Sequence, residues 1–280
     1  MKSLFNPLLL LLAFLFYSFG TDSSTDNDFY LHPNGVTIMC PNTQPGDIGV
    51  VNGVEYESVN NTLLRSHIDR GSDLSKVCVS LIDNIEDLFD GADSKMFGQS
   101  IGNWDVSNMT TMRNWFRNSA YNQDISHWDV SNVVDMSGMF YGSNFNHSLE
   151  EWDVSNVVVM TYMFRRSLFN QPIEKWEVGS VIDMQGMFDV SLFNQPLEKW
   201  DVSNVESMNF MFSNSPFNQP IGNWDVSNVI RMNYMFNESS FNQSITTWCV
   251  EQITSEPEFF STGSPLEEEN KPIWGQCPEE

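Results

Sequence analysis

Hydrophobic and polar positions along the chain follow a repeating order. In the stretch that begins at Ile125, apolar residues occupy the first, fourth and sixth places, with Trp128 in the fourth and Val130 in the sixth. This LxxLxL spacing is typical of the strand of a leucine-rich repeat. The next apolar residues are Val133, Met136, Met139 and Phe140, which form one face of a short helix or 3₁₀ turn. The pattern predicts repeats that each hold one short parallel strand and one short helix or 3₁₀ turn.

The order recurs every 24 residues, and the tryptophans mark it most plainly. Seven of them share this spacing: Trp104, Trp128, Trp152, Trp176, Trp200, Trp224 and Trp248. Such a period predicts a solenoid, because a single repeat cannot bury its apolar side and has to stack on its neighbours. We therefore expect an α/β repeat solenoid that is leucine-rich-repeat-like. Its Trp, Met and Phe columns are interpreted as core packing, in preference to a sugar-stacking platform or a copper site.

Four segments follow from this pattern. They are a secretory signal peptide at 1–20, an N-terminal spacer and cap at 21–76, the repeat array at 77–248 and a C-terminal cap at 249–280. The N-terminal cap holds a hairpin phrase around Asn52 and Gly53 and a helix-like stretch that ends at Gly71. A degenerate first repeat places Val77 in the Trp column, with three extra residues before Phe97. We expect no transmembrane segment in the mature chain.

Four cysteines support an exported protein in which disulfides form. Cys78 and Cys249 occupy the same column at opposite ends of the array. Strands about 4.8 Å apart would separate them by roughly 34 Å, far beyond the reach of a disulfide or of one zinc ion. The predicted pairs are therefore Cys40 with Cys78 and Cys249 with Cys277, each joining a cap to its terminal repeat.

The repeat phrase FNQPIGNWDVSNV, followed by MxxMF, resembles the BspA-like leucine-rich-repeat surface proteins. The phrases HPNGVTIMC near the start and WCVEQI near the end carry the resemblance from about Leu31 to Pro278. It implies a secreted or surface-exposed protein, with some members linked to adhesion or matrix binding and no agreed catalytic residues. The fourth full copy departs from the phrase, since Glu177, Gly179 and Ser180 replace Asp, Ser and Asn.

The residues between the inward positions of each predicted strand form a candidate binding surface on the concave face. Its acidic column and the serines beside it are Asp105, Asp129, Asp153, Glu177, Asp201 and Asp225, with Ser131, Ser155 and Ser203. Carboxylates spaced at about 4.8 Å repel one another, so something should offset that cost. The alternatives are a ladder of local hydrogen bonds, bound Ca²⁺, a basic partner, or no role for the column at all.

Charge and motif content narrow the function. Lys and Arg number 13 against 37 Asp and Glu, which gives a net charge of −24 and argues against nucleic acid and anionic lipid as partners. The four histidines share no column, and no phosphate loop or nucleophile motif occurs, so we expect no enzyme activity. The sequence predicts a monomeric, secreted or cell-surface binding or adhesion protein that recognises a protein or glycan. A calcium-dependent structural component of a cell surface is the alternative.

Overall fold

A computed structural model describes residues 28–92 and 100–278. The predicted signal peptide at 1–20, the start of the spacer and the extra residues before Phe97 lie outside these ranges. The regular elements are β1 (Tyr30–Leu31), β2 (Ile38–Met39), β3 (Ile48–Val51), β4 (Val54–Ser58), α1 (Asn61–Asp69) and β5 (Val77–Cys78), with 3₁₀ turns at Leu74–Lys76 and Glu268–Asn270. All of the strands and the α-helix therefore lie within residues 30–78, in the N-terminal cap and at the start of the first, degenerate repeat.

The N-terminal cap contains the hairpin and the helix that the sequence predicts. β3 and β4 pair antiparallel around Asn52 and Gly53, whose φ angles of 52° and 81° suit a tight two-residue turn. α1 begins after Asn60, whose side chain accepts a hydrogen bond from the backbone N–H of Leu63 at 3.0 Å. The chain leaves α1 through Gly71, which has a φ of 66°. β5 then pairs parallel with β4 and leads into the first repeat.

Successive repeats stack in register, with a constant offset between paired residues. Isolated parallel bridges join Thr111, Asp135, Val159, Asp183, Ser207 and Arg231 in steps of 24 residues. One further bridge joins Asn84 to Thr111, a step of 27 residues. That longer step agrees with a degenerate first repeat that precedes the regular ones with three residues in excess.

The parallel pairing lies in a different part of the repeat from the one that LxxLxL predicts. The stretch from Trp128 to Val130 has no strand pairing, and the bridge of that repeat is at Asp135. Inward side chains at alternate positions around Trp128 satisfy the strand pattern, but the backbone there turns at Ser131 and Asn132 instead of extending. The predicted position of the strand is therefore wrong.

The predicted helix or 3₁₀ turn is replaced by consecutive turns whose peptide groups alternate in direction. The N–H of Met136 donates to Val159 of the next repeat at 3.0 Å, and that of Gly138 donates to Thr161 at 2.9 Å. The intervening N–H of Met139 donates back to Met136 at 3.2 Å. Gly138 is left-handed at φ 62°, which interrupts a helix, and every second N–H bonds across the stack. The apolar periodicity alone cannot distinguish this arrangement from one helical turn.

The core consists of the Trp, Met and Phe columns, as the sequence predicts. Met136 and Phe140 are fully buried, and the seven repeat tryptophans are at most 3% exposed. Phe140 and Phe164 stack in adjacent repeats with ring centroids 5.6 Å apart. The indole of Trp152 donates to the carbonyl of Ile125 at 3.1 Å, a contact that four later tryptophans repeat. Rings held inside in this way are unavailable as a sugar-stacking surface.

At the C-terminal end the backbone stack continues beyond Trp248, where the sequence phrase stops. The N–H of Phe236 donates to Phe260 at 2.8 Å, and Glu238 donates to Thr262 at 2.7 Å, which continues the bonding between repeats. The cap is therefore built partly as one more turn of the stack, although its sequence no longer matches the phrase. Trp274 then packs edge-on against Phe260.

The disulfides join the same pairs that the column argument predicts. Cys40 is bonded to Cys78, and Cys249 to Cys277. Each links a cap to the repeat beside it, which stabilises the two ends of the stack against fraying.

Candidate functional site

The recurring phrase WDVSN forms a local turn in each repeat, and its carboxylate is held by its own serine. Oδ1 of Asp129 accepts from the backbone N–H of Ser131 at 3.1 Å and from its hydroxyl at 2.6 Å. Asp153 and Ser155 repeat both distances. The same N–H contact occurs at Asp105, Asp201 and Asp225. The hydrogen-bond alternative for the acidic column is therefore present in every repeat that keeps the WDVSN phrase.

These hydrogen bonds favour the ionised carboxylates. The bond from the Ser155 side chain holds the pKa of Asp153 below its usual range, and Ser203 has the same effect on the pKa of Asp201. Both carboxylates are exposed and stay charged at neutral pH. The column of Asp residues, with Glu177, and the serines two positions later is called the Asp–Ser face below.

A second ladder connects neighbouring repeats beside this face. The side-chain amide of Asn156 donates to the carbonyl of Ser131 at 2.8 Å, and Asn204 donates to Gly179 at 2.7 Å. The equivalent contact is made by Asn108, Asn132, Asn228 and Gln252. Ser180 stands at this position in the fourth full repeat, so its step of the ladder has no amide.

The departures at Glu177, Gly179 and Ser180 coincide with an open depression of about 450 Å³. A Cβ added to Gly179 would lie 3.3 Å from Oδ2 of Asp201, so glycine leaves space beside that carboxylate. A second depression, of about 300 Å³, adjoins it. The charged residues lining the two are Glu150, Glu151, Asp153, Glu174, Glu177, Asp201, Lys175 and Lys199.

The two lysines of the depressions are engaged by carboxylates. Lys175 Nζ lies 2.8 Å from Glu151 and 3.4 Å from Glu150, and Lys199 Nζ lies 3.0 Å from Glu174. The hydrogen bond to Glu151 is the main cause of a raised pKa at Lys175. Because six carboxylates surround two ammonium groups, the surface remains acidic.

Asp105 is an exception among the predicted binding residues. It is only 2% exposed, and the hydroxyl of Ser80 donates to its Oδ2. The N-terminal cap covers the first repeat here, since Ile38 pairs with Trp104 and the backbone N–H of Cys40 donates to Ser80. The prediction that Asp105 faces a partner is wrong, whereas Asp129, Asp153, Glu177, Asp201 and Asp225 are exposed.

The arrangement of carboxylates does not assemble a metal site in the part of the chain that the structure describes. Across 28–92 and 100–278, no group of three or more His, Cys, Asp or Glu side chains is placed to hold one ion. Asp129 and Asp153 are each directed to the serine of their own repeat instead of converging on one point. The same ranges contain no helix long and apolar enough to span a bilayer.

A cluster of arginines and tyrosines lies elsewhere on the repeats and was not predicted. Arg117, Tyr141 and Arg165 share one position of successive repeats, and Arg165 pairs with Asp189 at 2.7 Å. Their 24-residue spacing is a signal in the sequence. In later repeats other residue types occupy this position, so it does not form a uniform column in the sequence.

Comparison with protein families finds one that matches most of the chain. Its model, described as a Mycoplasma protein of unknown function, DUF285, matches residues 59–168 and again 165–273. The protein belongs to this family, with two tandem matches that cover the repeats, most of the predicted C-terminal cap and residues 59–76 of the predicted N-terminal cap. Comparison with curated proteins and with solved structures found no match.

Proposed function

We propose that the protein is a secreted or cell-surface repeat protein that binds an extracellular partner without catalysis. In this proposal the stack is a leucine-rich-repeat-like solenoid, related to the BspA-like surface proteins that the repeat phrase resembles, and it acts as a monomer. The two disulfides favour an oxidising, extracellular setting. Membership of a repeat family supports a scaffold that presents a surface.

The observation that carries the proposal is the break in the Asp–Ser face at Glu177, Gly179 and Ser180. A repeated surface that changes at one place, and there opens a depression of about 450 Å³, offers a position at which a partner can be fixed in register. Without this break, every repeat from Asp129 to Asp225 would present the same Asp–Ser pair. The depression and the ladders on either side together define the proposed binding surface.

The chemistry of this surface favours a cationic segment of a protein. Asp153 and Asp201 are exposed and held in their charged form, and the net charge of −24 attracts cationic groups from a distance. Lys175 and Lys199 already pair with carboxylates, so they add specificity more than positive charge.

Binding to a panel of extracellular-matrix proteins and to whole cells tests the proposal. For the ligand that binds, Glu177→Gln combined with Asp201→Asn should weaken the affinity about tenfold, mainly through faster dissociation. Asp225→Asn is the matched control, because Asp225 accepts the same N–H bond from Ser227 at 3.0 Å but does not line the depressions. Equal affinity of the double variant and the parent would exclude this surface as the binding site.

A further inference from the structure

Positive side chains are unevenly distributed in this acidic protein. Four of its seven arginines, Arg113, Arg117, Arg165 and Arg166, occur at closely related positions in the first and third regular repeats. Arg117 follows Asp105 by 12 residues, half of one 24-residue repeat, so the group lies half a turn of the chain away from the Asp–Ser face. With Tyr141 and Tyr162 these four residues are called the arginine surface.

Aromatic rings hold two of the guanidinium groups in place. The ring of Tyr141 lies between Arg117 and Arg165, at 5.4 and 5.6 Å from the two Cζ atoms. Arg165 also lies 5.1 Å from the ring centroid of Tyr162, and its Nε is 2.7 Å from Oδ2 of the buried Asp189. Guanidinium groups packed against rings keep their edges available for carboxylate oxygens while losing little freedom on binding.

The other two arginines are open to a partner. Arg113 and Arg166 are exposed and form no salt bridge within the part of the chain that the structure describes, although Arg166 interacts with Asp189 electrostatically at longer range. The ion pair of Arg117 with Asp90 is long, at 3.6 Å, and the Arg117 side chain is 42% exposed. The arginine surface therefore has more positive charge than its own carboxylates neutralise.

Exposed apolar side chains adjoin the arginine surface. Leu168 is 46% exposed and Leu192 is 55% exposed, and the backbone N–H of Leu192 donates to Ser167, which places the two leucines in neighbouring repeats. Val190, which is 43% exposed, lies two residues before Leu192. Contiguous apolar residues beside a charged group are typical of surfaces that dock another protein.

We propose that the arginine surface and these three apolar residues bind an acidic peptide segment with large apolar side chains, carried by a partner protein. Carboxylates of the segment bind the guanidinium groups, and its apolar residues cover Leu168, Val190 and Leu192. The apolar residues favour a peptide over an anionic polysaccharide, because a polysaccharide has no large apolar side chains to pack against them. At physiological salt the Debye length is about 8 Å, so dissolved ions screen the more distant carboxylates of this protein. The local contacts therefore decide binding.

This surface is independent of the Asp–Ser face, and the two have opposite preferences. A protein with both could join a cationic segment at one side to an acidic segment at the other. Failure of either binding test leaves the other proposal standing.

Fluorescence anisotropy at physiological salt, with the intact oxidised protein and labelled short peptides, tests the inference. A peptide of alternating Glu and Leu should bind, whereas peptides of Glu with Ser and of Lys with Leu should bind at least about tenfold more weakly. Arg113→Gln combined with Arg166→Gln should reduce binding of the Glu–Leu peptide about tenfold, and so should Leu168→Ser combined with Leu192→Ser. Both pairs are exposed, so the fold should be kept, as circular dichroism would verify.

Arg70→Gln combined with Arg231→Gln is the control, since it changes the net charge equally at exposed positions away from the surface. Loss of binding in this control as well would show a response to total charge and would overturn the proposal. Equal binding of the Glu–Ser peptide or of a heparin fragment, with no effect of the leucine changes, would assign the surface to a general polyanion instead. Absence of binding by the Glu–Leu peptide would also refute it.

Discussion

Oδ1 of Asp153 accepts two hydrogen bonds from Ser155, one from the backbone N–H at 3.1 Å and one from the hydroxyl at 2.6 Å. Both donors belong to the same repeat as the carboxylate, so the contact forms as soon as the local turn forms. It explains how a column of negative charges can recur along the stack. Each carboxylate is stabilised locally, and repulsion between repeats is the smaller effect once water and salt screen it.

Removal of the Ser155 hydroxyl should show how much its hydrogen bond to Asp153 contributes to stability. Ser155→Ala should lower the free energy of unfolding at neutral pH by about 0.5 kcal/mol, at the low end for a charged hydrogen bond because the pair is exposed. The pKa of Asp153 is lowered in the folded state, so its contribution is present above the unfolded pKa and is lost as the pH falls through the folded pKa. Urea unfolding at neutral and acidic pH measures the difference.

Ser227→Ala is the matched control for this change. Ser227 donates to Asp225 through its backbone N–H at 3.0 Å, a bond that alanine keeps. A loss of stability as large as that of Ser155→Ala, or one that persists in acid, would contradict the role assigned to the hydroxyl.

The missing step of the amide ladder predicts a gain of stability. Ser180→Asn would supply an amide to the carbonyl of Ser155, as Asn156 supplies one to Ser131 at 2.8 Å. One added hydrogen bond at an exposed position should stabilise the fold by about 0.5 to 1 kcal/mol. The same change should weaken binding of the partner that the proposed function requires, because it fills part of the depression.

Asn204→Ser gives the opposite test, because it removes the hydrogen bond to the carbonyl of Gly179 at 2.7 Å. It should lower the free energy of unfolding by a similar amount. Thermal unfolding of both variants measures the effect. Stabilisation by Ser180→Asn together with unchanged partner binding would separate the ladder from the binding surface and count against the proposed site.

Sequence periodicity predicts the buried columns because each column is set by which side chains face the interior. Trp128, Met136 and Phe140 are buried as expected, since burial depends on the spacing of apolar residues and tolerates several backbone paths. The backbone path itself was not predictable in the same way. Gly138 marks a left-handed residue, but Tyr162 has a φ of 58° at the same position of the next repeat, so residue type alone does not reveal the turn.

The candidate site likewise has some features that residue identity predicts and others that it does not. The sequence predicts the Asp column and the unusual fourth repeat, because both depend on residue identity. Burial of Asp105 depends on how the N-terminal cap folds over Trp104, and the packing of two arginines against the Tyr141 ring depends on contacts between repeats. Both are tertiary relationships that no single repeat encodes.

Tyr121 replaces the phenylalanine of later repeats and carries a buried hydroxyl that interacts with the backbone of Ile101. Burial is the main cause that raises the pKa of Tyr121 well above its usual range. Tyr121→Phe removes the partner of that backbone group inside the core, so it should lower the free energy of unfolding by about 1 kcal/mol.

Urea unfolding measures this change. Phe145→Tyr provides a control, because it buries a hydroxyl at the same position of the next repeat, whose Trp152 already donates to Ile125 at 3.1 Å, and it should lower the stability. A Tyr121→Phe variant as stable as the parent would contradict the role assigned to the hydroxyl.

Calcium should have little effect on stability. Ca²⁺ requires six to eight oxygen ligands, whereas the Asp column directs carboxylates to their own serines, and no cluster of three acidic or imidazole ligands occurs in residues 28–92 and 100–278. The Tm should therefore differ by less than about 2 °C between excess calcium and chelator, since a ligand stabilises only when it binds the folded state selectively. Asp153→Asn combined with Asp201→Asn should respond to calcium in the same way as the parent. A shift of several degrees that disappears in this double variant would instead show that the exposed carboxylates act together across repeats, and the protein would then depend on calcium for its surface architecture.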